Sequence, residues 1–313
     1  VGMWSGLTAV TAVLTAGAIV GTTVAFHYTT TVNNYLDADT YKIIKGDSDE
    51  DTEYFKSDFT SDEERESYEA ELCAQVEAEG AALLKNDNNA LPLASGAKVS
   101  LFGHGSVDLM YGGTGSGSVD TSKAPNFKQA LEDQGIQINS TLWDLYSSDD
   151  MMKNYSRITP AAISDTLEAN TQYAVNEAPW SKLSSAESSF ADYGDAAIVV
   201  FSRSGGEGAD LPSGENGTND SWIKGQEGDG NYLALSAEEK ELLQNLKTLK
   251  DNGTFKKIIV LINSSNAIEM DFLNPEICGE DYGIDSAMWI GDVGQTGING
   301  VAQLLAGEAT PSG

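Results

Sequence analysis

The sequence predicts an α/β protein: a three-layer α/β sandwich on a mainly parallel sheet, preceded by a transmembrane helix. Three observations predict it. Short apolar runs alternate with segments of helical periodicity from residue 61 onward, which is the pattern of parallel strands covered by helices on both faces. Two glycine-rich loops directly follow apolar runs, at the carboxyl ends of strands where open sheets gather ligands. Ahead of all this, Trp4 to Phe26 is free of charge and long enough to cross a hydrocarbon core of about 30 Å.

The first element is that apolar stretch. Its Thr and Gly content also suits the core of a signal peptide, but no small-residue cleavage site follows it, which favours an anchor. The flank from Asn33 to Asp51 is acidic with lysine only at Lys42 and Lys45, so the positive-inside tendency places the bulk of the chain on the extracytoplasmic side. Residues 1–30 are read as the membrane anchor, through positions 4–26, residues 31–60 as an acidic juxtamembrane linker, and residues 61–313 as one folded domain.

Within that domain, Ser61 and Glu64 form a capping-box pattern. Tyr68, Leu72, Val76, Ala81 and Leu84 recur at nearly helical spacing, predicting an amphipathic helix from Ser61 to about Leu84. Beyond the turn-rich stretch 86–95, a strand is expected over Lys98–Gly103, a helix around Asn126–Asp133 and a strand at Ile136–Ile138. A strand over Ala196–Ser202 follows, then a helix from Ser236, capped with Glu239, to about Leu249. Strands at Lys257–Asn263 and Ala287–Gly291 and a helix over Gln295–Leu305 complete the order. The polar stretch from Ser147 to Ser189, with Met151, Met152, Tyr155, Tyr173 and Trp180, reads as a helical insertion over the domain.

Composition narrows the chemistry. A formal net charge of -30, from 48 acidic against 18 basic side chains, repels phosphate backbones and excludes nucleic acid as a partner class. A neutral sugar meets no such barrier. Cys73 and Cys278 are too few for a disulfide scaffold, although a single bridge between them stays open. With His27 and His104 as the only histidines and no ligand-like spacing, no metal and no cofactor are implied.

The first glycine loop is Gly112-Gly113-Thr114-Gly115-Ser116-Gly117-Ser118. It lacks the Lys-Ser/Thr ending of a P-loop and the G-x-G-x-x-G spacing of a dinucleotide site, which argues against nucleotide binding. It offers close backbone approach and three hydroxyls, and it equally suits a plain surface turn. The second loop runs from Ser202 to Asp210. Glu207 stands between glycines, free to project into a cleft, with Arg203 and Asp210 near enough in sequence to tune or orient it; an exposed turn with an incidental glutamate fits the same residues.

Several segments in one order carry a resemblance: Glu79 to Asn86 followed by Leu91-Pro92-Leu93, Phe102-Gly103, Gly112 to Gly117, Ser202 to Asp210, Tyr232 to Glu238, Gly294-Gln295, Gly307 and Pro311-Ser312-Gly313. Together they resemble the second, α/β-sandwich domain of family 3 glycoside hydrolases, over roughly Ser61 to Gly313 apart from the 147–189 stretch. The resemblance implies a retaining β-glycosidase of the β-glucosidase type, acting on β-glucosides or related oligosaccharides. In that mechanism an Asp from a barrel domain attacks the anomeric carbon and a Glu of the sandwich is the acid/base. Glu207 matches that acid/base position, with Gly206 as an extra glycine before it. Ser116 matches a serine that contacts the sugar, Gly115 and Gly117 shape its loop, and Arg203 is similar to a loop arginine that steadies the Glu; Asp210 is kept as a binding candidate.

The pattern also departs from the family. The sandwich follows an apolar span directly, which implies a permuted order with the barrel downstream and outside this sequence, so the chain is expected to be an inactive fragment. The pair Ser164-Asp165 is followed by Thr166 instead of an aromatic, so Asp165 is not nominated as nucleophile. Leu211 stands where Arg is common, which leaves sugar specificity open. The alternative reading is a noncatalytic, membrane-tethered ectodomain that binds carbohydrate with the same loops.

Overall fold

The computed structural model describes residues 2–36, 57–157, 173, 175–207, 211 and 231–313. They fall into two units, residues 1–58 and 59–313. Most of the acidic linker, the Ser164-Asp165 pair and Asp210 lie outside the described residues.

In the first unit, helix α1 (Gly2–His27) is followed by α2 (Thr29–Tyr35). Thr8, Thr11 and Thr23 donate their hydroxyls to the carbonyls of Trp4, Leu7 and Ile19 one turn back, which conceals the polar groups of an otherwise apolar helix. The span Trp4–His27 has a hydropathy of 1.8 and, by length and composition, is the one described helix able to cross a membrane.

The second unit opens with α3 (Asp62–Gly80) and β1 (Ala82–Asn86), then β2 (Lys98–Phe102), α4 (Phe127–Asp133) and β3 (Gln137–Ile138). Next come α5 (Ser140–Tyr146), α6 (Asp149–Tyr155), β4 (Ala196–Ser202), α7 (Ala237–Asp251) and β5 (Ile258–Asn263). The last elements are α8 (Pro275–Cys278), β6 (Ser286–Trp289) and α9 (Ile298–Ala306). The strands form one sheet in the order β1-β6-β5-β4-β2-β3, parallel throughout except that β1 runs against β6.

Alternation along β4 builds the two faces. Ala196, Ile198 and Val200 join a core with Phe127 and Leu131 of α4 and Val301 and Leu305 of α9, whereas Ala197, Val199 and Phe201 meet Leu142 of α5 and Leu242 and Leu246 of α7. The result is three layers around a mixed sheet. Burying each such Val, Leu or Ile contributes about 1.5–3 kcal/mol, so the central strands hold the unit together. The described parts of the 147–189 stretch belong to the second layer and do not merely overlie it: Met151, Ala178 and Leu183 are core residues there.

The first helix differs from expectation in extent and in face. It ends at Gly80, and Ala82 to Leu84, expected to close it, belong to β1, which pairs with β6 instead. Tyr68, Leu72 and Val76 point outward, while Ala74 and Ala78 are buried. The cause is close packing of small residues: a Cβ on Gly300 of α9 would collide with the Ala74 carbonyl, so α3 approaches α9 on its alanine side. The Ser61 cap forms, but Glu64 reaches the amide and hydroxyl of Thr60 and not the amide of Ser61.

Candidate functional site

Strands β2 and β4 are parallel neighbours, so their carboxyl ends lie side by side and the two glycine loops leave from the same edge of the sheet. Gly103 turns the chain out of β2 with φ +82, where a Cβ would sit 2.7 Å from the Val200 carbonyl oxygen. The loops then join. Thr114 bridges to Gly206, with Thr114 N donating to Gly205 O at 3.3 Å and Thr114 Oγ1 to Glu207 O at 2.8 Å. Ser116 donates both its amide, at 2.9 Å, and its hydroxyl, at 2.6 Å, to Oε2 of Glu207.

The additional glycine before Glu207 has a reason in this contact. Gly206 adopts φ +146, and a Cβ there would collide with Thr114 N and lie 2.7 Å from Thr114 Oγ1. Gly115, at φ +68, brings its backbone against the glutamate, where a Cβ would lie 2.7 Å from both Cβ and Oε2 of Glu207. Gly115→Ala is therefore expected to push the carboxyl off Ser116 and to cost about 1–3 kcal/mol of stability through the strained backbone. Thermal melting together with the Glu207 carboxyl 13C signal checks this; an unchanged signal would refute it.

The two Ser116 hydrogen bonds, hydroxyl first and amide second, hold the Glu207 carboxyl below the usual glutamate range. Ser116→Ala is expected to move its titration upward, read by the same 13C signal. A downward move would show that the hydroxyl does not stabilise the charged form.

Arg203 does not meet Glu207, contrary to the expectation that it steadies the acid or touches substrate. It is fully buried, and its five N–H groups are all spent on the protein: Nε on Tyr232 O, Nη1 on Ser202 O and Glu239, Nη2 on Ala234 O and Glu239. A desolvated guanidinium needs a carboxylate more than a surface loop can supply one, and Glu239, which also caps α7 through the Ser236 amide, provides it at 2.7 Å. Gly117 flanks Ser116 with open space beside its Cα.

Beside these loops an open cleft of about 470 Å³ is lined by Asp108, Tyr111, Thr114, Ser118 and Arg157, among others. Arg157 is held by the Asp108 carboxylate at 3.2 Å, the Asp108 carbonyl and Ser202 Oγ. The sequence reading passed over it because it lies in the stretch without clear periodicity. A usable signal existed: Arg65, Arg157 and Arg203 are the only arginines of this acidic chain.

Off the end of β6, burial and then the nearby Asp292 push the Glu77 carboxyl up to about 8. In the unfolded chain this proton leaves near pH 4.5, so the folded form holds it more tightly, and the stability this contributes falls as pH rises from 4.5 toward 8. Glu77→Gln is expected to flatten the dependence and to gain about 3 kcal/mol at pH 8 relative to pH 5, measured by chemical unfolding at both. Equal midpoint differences in the two proteins would rule it out. Among the described residues no group of three or more His, Cys, Asp or Glu converges as a metal site, and Cys73 and Cys278 are free thiols.

A family model described as the glycosyl hydrolase family 3 C-terminal domain matches residues 81–313. The chain belongs to this family. The match to the family 3 domain starts one residue before β1, so α3 and the N-terminal unit lie outside it. A beta-glucosidase of Ruminococcus albus is 30% identical over 246 residues, covering 78% of this chain and 22% of that protein. Beta-glucosidase A of Butyrivibrio fibrisolvens is 30% identical over 260 residues, covering 78% and 28%. Among solved structures, a beta-glucosidase of Paenibacillus barengoltzii matches with a TM-score of 0.56 at 27% identity, over 77% of this chain and 23% of that one. Beta-glucosidase 3B of Thermotoga neapolitana, solved with glucose, shares the fold with a TM-score of 0.56 at 24% identity, over 79% and 30%. The family 3 domain thus spans about a quarter of the length of these relatives.

Proposed function

We propose that this domain supplies Glu207 as the acid/base of a retaining β-glycosidase acting on β-glucosides or related oligosaccharides. The observation that carries the reading is the pairing of Glu207 with Ser116 across two loops at the carboxyl ends of adjacent strands. In this reading the attacking carboxylate comes from outside the described residues and lies about 5 Å from Glu207. As it bonds to the anomeric carbon, the glycosidic C–O bond breaks and the Glu207 proton passes to the departing oxygen. Glu207 then takes a proton from water, whose oxygen displaces the enzyme carboxylate.

An acid must hold its proton at working pH, whereas the Ser116 hydrogen bonds favour the ionised form of Glu207. A second carboxylate close by and exclusion of water both raise a carboxyl pKa. This supports a division of labour in which the remainder of the polypeptide protonates Glu207 and this chain alone hydrolyses nothing. The complete gene product is expected to hydrolyse 4-nitrophenyl β-glucoside and to release β-glucose first, followed by proton NMR. An inverted first product, or no hydrolysis of any β-glycoside, would falsify the reading.

A second reading, carbohydrate binding without cleavage, draws on the same hydrogen bonds from Ser116 to the Glu207 carboxyl, and saturable sugar binding by the complete gene product without turnover would favour it. In either reading α1 serves as a tether with the domain outside the membrane, supported by its uncharged length and the acidic flank. An alkaline carbonate wash is then expected to leave the chain in the membrane pellet, and release into the supernatant would count against the tether.

A further inference from the structure

The turn that carries Glu207 is held from beneath by one tyrosine. Ser204 N donates to Tyr232 Oη at 2.9 Å, and the same hydroxyl donates to Ser204 O at 3.1 Å, so both peptide groups of Ser204 end on one oxygen. Tyr232 is itself immobilised. Its ring is fully buried and lies 5.0 Å from that of Tyr173, while its carbonyl accepts Arg203 Nε at 2.8 Å. Arg203 in turn is locked to Glu239 at the start of α7.

Between Ser204 and Glu207 stand two glycines and no side chain. Glycine gives up more backbone freedom on ordering than any other residue, so an unrestrained Gly-Gly pair would scatter the carboxyl that follows it. Two restraints bracket the pair: the tyrosine hydroxyl before it, and the Thr114 bridge at Gly206 after it.

We propose that Tyr232 is a positioning residue whose hydroxyl holds the Ser204 peptide groups, so that the Gly205–Gly206 turn presents the Glu207 carboxyl to Ser116 in one register. Its consequence for catalysis rests on the function proposed above; the positioning itself does not.

The test is Tyr232→Phe, with the Glu207 carboxyl followed by 13C NMR across pH. The variant is expected to shift the Glu207 titration upward in the direction of Ser116→Ala, and the double variant to shift it less than the sum of the two, because both changes act on one contact. A folded Tyr232→Phe domain whose Glu207 titrates as in the native chain overturns the proposal. If the variant does not fold, hydrogen exchange in the unmodified chain decides. The Ser204 and Ser116 amides are expected to show protection within about threefold of each other, opening as one unit. A Ser116 amide exchanging about a hundredfold faster overturns it.

Hydrolysis separates this inference from the reading it rests on. In the complete gene product, Tyr232→Phe is expected to lower kcat by about tenfold with little change in KM, the mark of a misaligned acid. If the titration shifts as stated while Glu207→Ala keeps full activity, the positioning stands and the acid assignment falls.

Discussion

Glu207→Ala in the complete gene product is expected to lower kcat/KM by about 10²–10⁴-fold for aryl β-glycosides with poor leaving groups, the range a positioned general acid contributes. A phenol of high pKa leaves poorly as an anion and would need the proton that Glu207 supplies in the proposed mechanism. A dinitrophenolate needs none, so the first step with that substrate is expected to survive and the loss to fall instead on hydrolysis of the glycosyl-enzyme, where Glu207 would act as base. The expected signature is a steep dependence of the variant's rate on leaving-group pKa, with a burst of dinitrophenolate under rapid mixing. Equal losses for both substrates would mean that Glu207 binds sugar and transfers no proton.

Glu239→Ala is expected to destabilise the second unit by about 3–5 kcal/mol, the cost of removing one partner from a buried ion pair. Arg203 would remain fully buried with two of its N–H groups unanswered, and the amide of Ser236 would lose its carboxylate at the head of α7. For a unit of this size the loss corresponds to a fall of roughly 10 °C in Tm. Glu239→Gln keeps one oxygen and the cap geometry and is expected to lose less. Denaturant unfolding of the three proteins checks this; a loss below about 1 kcal/mol for the alanine variant would show that water or another group replaces the carboxylate. The prediction concerns folding alone and is independent of the glycosidase reading.

The strands with the longest apolar runs were the most legible in the sequence. β4 and β5 are apolar on both faces and bounded by polar residues, so Ala196–Ser202 and Ile258–Asn263 stand within a residue of expectation. Ser236 and Glu239 announced α7 for the same local reason, since both halves of the box form. The start of the unit was illegible because its burial is made of alanine and glycine. Ala74, Ala78 and Gly300 carry no periodic signal of size, whereas Tyr68, Leu72 and Val76 carry one and face solvent.

At the site, the sequence placed Glu207 and Ser116 on two glycine loops that follow strands but offered no means of pairing them. The pairing depends on β2 and β4 being adjacent, a matter of sheet order. Arg203 was misjudged because nearness to Glu207 in the chain says nothing of direction: the residue after a buried strand turns inward as readily as outward, and Glu239, 36 positions on, decided it. Arg157 reaches Asp108 and Ser202 across separations of 49 and 45 residues, beyond any local pattern.

The antiparallel edge has a bearing on how the chain finds its structure. Lys98 meets Asp195 across 97 residues of chain, and Lys85 meets Ser286 across 201, so the outermost strand closes the longest loop of the sheet. Closing long loops costs entropy before any contact rewards it, and topologies of distant partners assemble slowly. β1 has nothing to pair with until β6 is in place, and β6 needs β5. On that ground the edge is expected to zip last, and while it waits, the flank of β6 would be the unpaired ladder through which a half-assembled chain sticks to another.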